Sequence, residues 1–185
     1  MVKLKIWLSS DYHFNHDKPF IWESRGFNSV EEMNEAIVER NNELVSPDDT
    51  LIILGDIMLG GPDKIEEGMQ LLNRMNGDKL IILGNHDTDN RKRAYTNNGL
   101  SIFYAYMFNY KKYHFYLSHY PTLCSNYDDG KKLTQKTLNL CGHSHYKDPF
   151  ADWDKGCIFH VEVDGNNCYP WALDDIIKKM TLLST

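Results

Sequence analysis

An α/β protein built on a parallel sheet is the fold class this chain predicts, on three observations. Leu51-Ile52-Ile53-Leu54 and Leu80-Ile81-Ile82-Leu83 are continuous apolar runs of strand length without alternation, as expected of strands covered on both faces. A segment of helical spacing precedes each: Ser29 to Val45 carries Val30, Met33, Ile37, Val38 and Leu44, and Pro62 or Asp63 to about Met75 carries Ile65, Met69, Leu72 and Met75. The second half then turns to shorter strand-like runs broken by turn residues, which predicts mixed and antiparallel pairing.

Each element has a local reason. Val2-Lys3-Leu4-Lys5-Ile6 alternates apolar with basic before Ile6-Trp7-Leu8, so the first strand starts half exposed and ends buried, and Ser9-Ser10 lead from it into Asp11. Ser29 is placed as a helix N-cap with Glu32 closing a capping box, and Pro47-Asp48-Asp49 ends that helix. Asn76-Gly77-Asp78 stops the second helix. Strand, helix, strand, helix, strand with right-handed crossovers brings the carboxyl ends of the strands to one edge, where open α/β sheets place their sites. Ser101 to Phe108 and Tyr113 to Ser118 are expected as strands joined by a hairpin at Asn109-Tyr110-Lys111-Lys112, followed by strands at Leu138 to Cys141 and Phe159 to Val163. Trp171 to Met180 is expected as a final helix, with Ala172, Ile176, Ile177 and Met180 inward and Lys178-Lys179 suiting its carboxyl end.

Composition narrows the class. The 185 residues, 42% hydrophobic and 25% charged, suit one domain spanning 1–185, with no repeat, low-complexity tract or linker. A formal net charge of −6 argues against a broad surface for duplex nucleic acid. No apolar run approaches the roughly 20 residues that cross a bilayer, and the first residues lead into a strand, so a cytoplasmic protein without a membrane partner is expected. Cys124, Cys141, Cys157 and Cys168 form no C-x-x-C pair and are expected as reduced thiols, Cys141 as a buried strand residue.

Function is carried by five polar blocks that follow the apolar runs: Asp11-x-His13, Gly55-Asp56, Gly84-Asn85-His86-Asp87, His119 and Gly142-His143-Ser144-His145. Each aspartate alone reads as a turn residue or a helix cap. Jointly the set reads as a two-metal site, because mixed oxygen and imidazole donors suit Mn, Fe, Ni, Co or Zn whereas carboxylates alone would suit Mg or Ca. The i, i+2 spacing of Asp11 with His13 and of His143 with His145 puts each pair on one side of an extended segment. Glycine lets the chain turn sharply before the polar residue.

In these blocks, which span Asp11 to His145, the chain resembles the calcineurin-like metallophosphoesterase superfamily. Through Asp11-Tyr12-His13-Phe14-Asn15-His16 and Ser29-Val30-Glu31-Glu32-Met33-Asn34-Glu35 it is similar to the small single-domain bacterial and phage-type phosphoesterases. The resemblance implies a four-layer α/β/β/α sandwich of two mixed sheets flanked by helices. It implies two divalent ions, Mn first among the candidates: one held by Asp11, His13, Asp56 and His145, the other by Asp56, Asn85, His119 and His143, with Asp56 as the bridge. A hydroxide shared by the ions is the implied nucleophile, and His86 the implied acid that protonates the leaving oxygen. Asp87 is expected to orient His86.

Other residues stay open between two readings. His16 either touches substrate at the rim or is a solvated or capping histidine, and Arg91-Lys92-Arg93 is either a solvated helix start or a contact for a second phosphate or nucleotide. His114 and His160 fall in strand-like runs and read as packing residues. Tyr12, Phe14, Tyr120, Tyr127 and Tyr146 are candidates for aromatic surface near the ions, with packing as the alternative. The loops Pro121 to Lys136 and Lys147 to Gly156 are expected as pocket walls. The expected activity is hydrolysis of a small phosphodiester, nucleotide-like or otherwise compact. A phosphomonoesterase with the same site is the near alternative, and a non-catalytic scaffold and a nuclease subunit are more distant ones.

Overall fold

The computed structural model describes residues 4–124 and 130–184. In chain order the elements are β1 (Ile6–Ser9), α1 (Pro19–Trp22), α2 (Val30–Leu44), β2 (Thr50–Ile53), α3 (Lys64–Arg74), β3 (Asp78–Ile82), α4 (Asp89–Asn97), β4 (Ser101–Phe103), β5 (Ala105–Tyr110), β6 (Tyr113–Ser118), β7 (Thr137–Cys141), α5 (Trp153–Gly156), β8 (Ile158–His160), β9 (Trp171–Ala172) and α6 (Leu173–Leu183). Single 3-10 turns lie at Leu133–Gln135 and Val163–Gly165.

Two mixed sheets flanked by helices result, the α/β sandwich that the resemblance implies. The first has the order β4-β3-β2-β1-β9, with β1 to β4 parallel and β9 antiparallel to β1. The second has the order β5-β6-β7-β8, antiparallel only between β5 and β6. Strand alternation divides the core. Leu51, Ile53 and Ile81 pack with Met33, Ile37, Met69, Leu72 and Tyr95 of α2, α3 and α4, whereas Leu8, Ile52 and Ile82 face Phe115, Leu117, Leu138, Leu140 and Phe159 of the second sheet. The continuous apolar runs are thus residues needed by two cores at once.

The helices follow their local signals with small shifts. Ser29 Oγ accepts the Glu32 amide hydrogen at 3.2 Å, but the Glu32 carboxylate reaches back to the Asn28 amide at 2.7 Å, one residue before the capping-box position. Met69, Leu72 and Met75 are buried as expected, and Ile65 is half-buried.

Three expected elements are corrected. Ser101 to Phe108 is two strands: Phe103 pairs with Ile82 in the first sheet, Ala105 pairs with Ser118 in the second, and Tyr104 carries the chain between them. Trp171 and Ala172 are not helical but pair antiparallel with Leu8 and Trp7, so the final helix starts at Leu173. The strand at 159–163 is shorter, Ile158–His160, and Val163 begins a 3-10 turn. Periodicity cannot separate these cases, because each depends on which distant strand offers an open edge. The hairpin turns at Lys111-Lys112, with Lys111 left-handed at φ 56°. All four cysteines are free thiols, Cys141 buried at the end of β7.

Leu140 is fully buried between the sheets. Leu140→Ala should lower unfolding free energy by about 2–5 kcal/mol through lost apolar contact and a cavity, as read from the shift of a urea denaturation midpoint.

Candidate metal centre

The polar blocks meet where the strands of both sheets end. Asp11, Asp56 and Asn85 follow β1, β2 and β3, while His119 and the 143–145 segment follow β6 and β7. Backbone bonds tie the segments together: the Asp11 amide donates to Gly55 O at 3.0 Å, the His13 amide to Asp56 O at 3.1 Å, and the Gly142 amide to His119 O at 2.9 Å.

The side chains converge by a different device from the extended i, i+2 geometry expected. Asp11, His13, Asp56, His143 and His145 all have left-handed backbones, with φ of 59°, 52°, 53°, 79° and 54°. Such residues cost of the order of 1–3 kcal/mol each and persist where surrounding contacts over-determine them. Close approach explains two glycines. A Cβ on Gly55 would lie 2.6 Å from the Gly84 nitrogen and 2.8 Å from His119 Nδ1, and one on Gly84 would strike the Asp56 carboxylate.

All seven expected ligand residues face one small volume. His13 Nε2 lies 3.1 Å from His145 Nε2, and each of these nitrogens lies 3.7 Å from Asp11 Oδ1. On the other side, Asn85 Oδ1 lies 2.8 Å from His119 Nε2 and 2.9 Å from His143 Nδ1. Asp56 Oδ2 lies between, 3.9 Å from His13 Nε2 and 3.5 Å from His119 Nε2. Asp11, His13 and His145 form one group able to hold an ion, and Asp11, Asp56 and His119 a second. A cation fits this donor set on a further observation: Asp11 Oδ1 is buried with no hydrogen-bond partner, although its Oδ2 accepts the His143 amide at 2.9 Å.

Burial and mutual charge set the protonation of the set. Burial pushes His13 down to about 4 against the pull of Asp11, which keeps its ring neutral and able to ligate. Burial raises Asp56, with Asp11 and Asp87 adding to the rise, against His119 and the His86 amide. The His119 Nδ1 hydrogen bond to Leu54 O, 2.8 Å, turns its Nε2 lone pair toward the centre.

His86 is half-exposed at the mouth, with Nε2 3.9 Å from Asp56 Oδ2, and its amide donates to Asp56 Oδ1 at 2.8 Å. Asp87 does not orient it. One oxygen of Asp87 accepts the Gly84 and Asp56 amides at 2.7 and 3.1 Å and the other accepts Tyr95 Oη at 2.6 Å, so Asp87 braces the loops beneath the centre. Arg91 is neither a solvated residue nor open to substrate. It is buried, donating to the carbonyls of His86 and, at 2.8 Å, Gly60.

His16 stands at the rim, its ring 5.5 Å from that of His13 and 5.6 Å from Phe20. Tyr120 is half-exposed with its ring 4.6 Å from His143, and Tyr146 packs on His160. Tyr12 and Phe14 are core residues, and Tyr127 lies outside the described residues, as does part of the expected pocket wall at 121–136. His114 is exposed and bonded to Asn109, not packed. His160 is buried as expected, but between Glu162 and Asp152 at 3.0 and 3.1 Å, and Glu162 in turn accepts the Ser144 amide.

Two residues escaped the sequence reading. Asp164 accepts His145 Nδ1 at 3.0 Å, and Arg25 grips Asp164 at 2.9 and 3.0 Å. Although burial opposes it, His145 and Arg25 hold the Asp164 carboxyl well below the usual range. Neither residue sits in a motif, so spacing carried no signal for either.

The family model of calcineurin-like phosphoesterases matches residues 4–179. The chain belongs to that family. Calcineurin-like phosphoesterases hydrolyse phosphoesters with divalent metal ions, and the His and Asp groups above are able to hold such ions here. Among relatives, the uncharacterized protein MJ1445 of Methanocaldococcus jannaschii is 32% identical over 183 residues, 96% of this chain and 92% of that protein. The Gene 66 protein of Mycobacterium phage L5 is 34% identical over 82 residues, 44% of this chain and 39% of its own length. A protein of unknown function from Aquifex aeolicus, AQ665, superposes with a TM-score of 0.74 at 24% identity, covering 96% of this chain and 100% of that one, and so shares the fold. Among the described residues no helix is long and apolar enough to cross a membrane.

Asp56 is raised to about 6 and His145 is raised as well, where Asp11 and Asp164 outweigh burial. Below that pH both groups carry protons that an incoming ion must displace. Mn²⁺ affinity of this phosphoesterase should therefore fall as pH drops through about 6, with proton release on binding that calorimetry in buffers of different ionisation enthalpy will detect.

Proposed function

We propose that the protein is a single-domain, dinuclear metal-dependent phosphodiesterase acting on a small, compact or nucleotide-like ester. The observation that carries the dinuclear reading is Asp56 Oδ2, which faces histidine nitrogens on both sides of the centre at 3.5 and 3.9 Å. Asp11, His13, Asp56 and His145 would hold one ion, and Asp56, Asn85, His119 and His143 the other, with Mn²⁺ the first choice for this donor set. When bound, such paired ions make water acidic enough to ionise near neutrality and neutralise charge on a phosphoryl group.

The chain's own groups do the rest. Among the described residues His86 is the one histidine beside Asp56 that stays half-exposed without being counted among the ligands, and an imidazole at the mouth can deliver a proton to a departing oxygen. The Asp56 carboxylate fixes the His86 backbone, and Arg91 fixes the carbonyl of the same residue, so the loop carrying the acid is held from both sides. Retention of every ligand residue and of His86 disfavours a non-catalytic scaffold.

Charge favours a diester. A monoester dianion is commonly met by a guanidinium on its extra oxygen. Among the described residues Arg25 and Arg91 lie close to the centre, and the terminal nitrogens of both donate to groups inside the fold. Tyr120, half-exposed beside His143, adds apolar surface that suits an organic leaving group.

With Mn²⁺ added, bis(nitrophenyl) phosphate should be hydrolysed with higher kcat/KM than nitrophenyl phosphate, and a chelator should stop both. A clear preference for the monoester would reverse the choice of ester class and leave the metal centre untouched. His86→Gln should keep its metal by elemental analysis and lose rate by on the order of 10²–10⁴-fold, less when the leaving group is a nitrophenolate. Equal losses on good and poor leaving groups would remove His86 from the acid role.

A further inference from the structure

Arg25 and Asp164 sit directly behind the metal centre, and neither belongs to any of the five polar blocks. Their side chains are nearly buried, 2% and 8% exposed, and they are 139 positions apart in the chain. The guanidinium is fully used. Its Nε donates to Asp164 Oδ1 at 3.0 Å, Nη2 donates to Asp164 Oδ2 at 2.9 Å and to Asp11 O at 2.8 Å, and Nη1 donates to Tyr12 O at 3.0 Å. One planar group therefore joins the backbone of the first ligand segment to the residue that contacts the last ligand, His145.

That contact decides which nitrogen of His145 is free. Its Nδ1 has two neighbours, Asp164 Oδ2 at 3.0 Å and Arg25 Nη2 at 3.4 Å. A bare Nδ1 would set a lone pair against a carboxylate. A protonated Nδ1 donates to it. The hydrogen thus belongs on Nδ1, and the bare Nε2 looks toward His13 Nε2 at 3.1 Å and Asp11 Oδ1 at 3.7 Å. Across the centre, His119 is turned in the same sense, but by a neutral carbonyl, Leu54 O. The two halves of the centre are supported unequally, one by a charged pair and the other by backbone.

We propose that Arg25 and Asp164 are positioning residues that preset His145 and the Asp11–Tyr12 backbone for one metal ion, and so set the affinity of that ion independently of its neighbour. The inference rests on the dinuclear reading above. A plain stabilising role explains the geometry less well, because a buried ion pair gains little over an apolar pair of the same size, and two of the guanidinium bonds go to carbonyls of left-handed or adjoining residues in the ligand segment. Those bonds hold Asp11 at φ 59°, where its carboxylate enters the centre.

The test is a stepwise Mn²⁺ titration of the metal-free full chain by calorimetry, read in parallel by electron paramagnetic resonance, which distinguishes a spin-coupled ion pair from an isolated ion. The wild type should bind two ions and show the coupled signal. Asp164→Asn, which keeps the shape and removes the charge, should weaken one ion by about 10–100-fold, leave the other unchanged, and show an isolated-ion signal where the wild type is coupled. Arg25→Lys should do the same, since one ammonium cannot span Asp164 and both carbonyls. Melting of the metal-free variants reports the fold separately. Unchanged affinities in Asp164→Asn, equal weakening of both ions, or collapse of the metal-free fold in that isosteric variant would each overturn the positioning role. A wild type that binds fewer than two ions would instead refute the dinuclear reading.

Discussion

Asp11 is a fully buried carboxylate on which both sheets close. Its backbone nitrogen is tied to Gly55 of the first sheet's second loop, one carboxylate oxygen takes the His143 amide from the second sheet, and the other oxygen has no hydrogen-bond partner but faces His13 and His145 at 3.7 Å. An anion so placed forfeits its hydration, a penalty of several kcal/mol even after relaxation. Asp56, scarcely more exposed, adds a second one nearby. His13, His119 and His145 more than offset that penalty at Asp11, whose carboxyl stays below its ordinary range, whereas burial leaves Asp56 raised to about 6, and a cation at this point would be met by both carboxylates. The neutral His13, the bare Nε2 atoms of His119 and His145, and the left-handed backbones that aim them are consistent with one design for receiving positive charge.

The surroundings show how that strain is contained. Asp87, Arg91, Arg25 and Asp164 are all charged, all at or near the centre, and all occupied with the backbone or with one another. Each bridges segments far apart in sequence. The centre is thus walled by charged groups engaged within the fold, so a substrate would meet bound ions, the half-exposed His86 and an aromatic rim. An acidic chain with a cationic pocket can in this way admit a small phosphoester while its outer surface repels polyanions.

What the sequence by itself determined is what local chemistry enforces. Leu51 to Leu54 and Leu80 to Leu83 had to be buried strands because no polar residue interrupts them, Ser29 had to start a helix, and Gly55 and Gly84 mark sharp turns before polar residues. The donor types in Asp11, His13, Asp56, Asn85, His119, His143 and His145 were legible for the same reason: ligand chemistry belongs to the side chain, whatever its neighbours. Only the tertiary structure decided the rest. The contact between Arg25 and Asp164 spans 139 positions, Asp87 and Arg91 were turned from expected site roles into braces by Tyr95 and two carbonyls, and Phe103 and Trp171 joined the edge that each found open. Periodicity reports which face of an element is apolar; the partner of a polar group is set by packing between distant segments, and one chain read in order holds no measure of that distance.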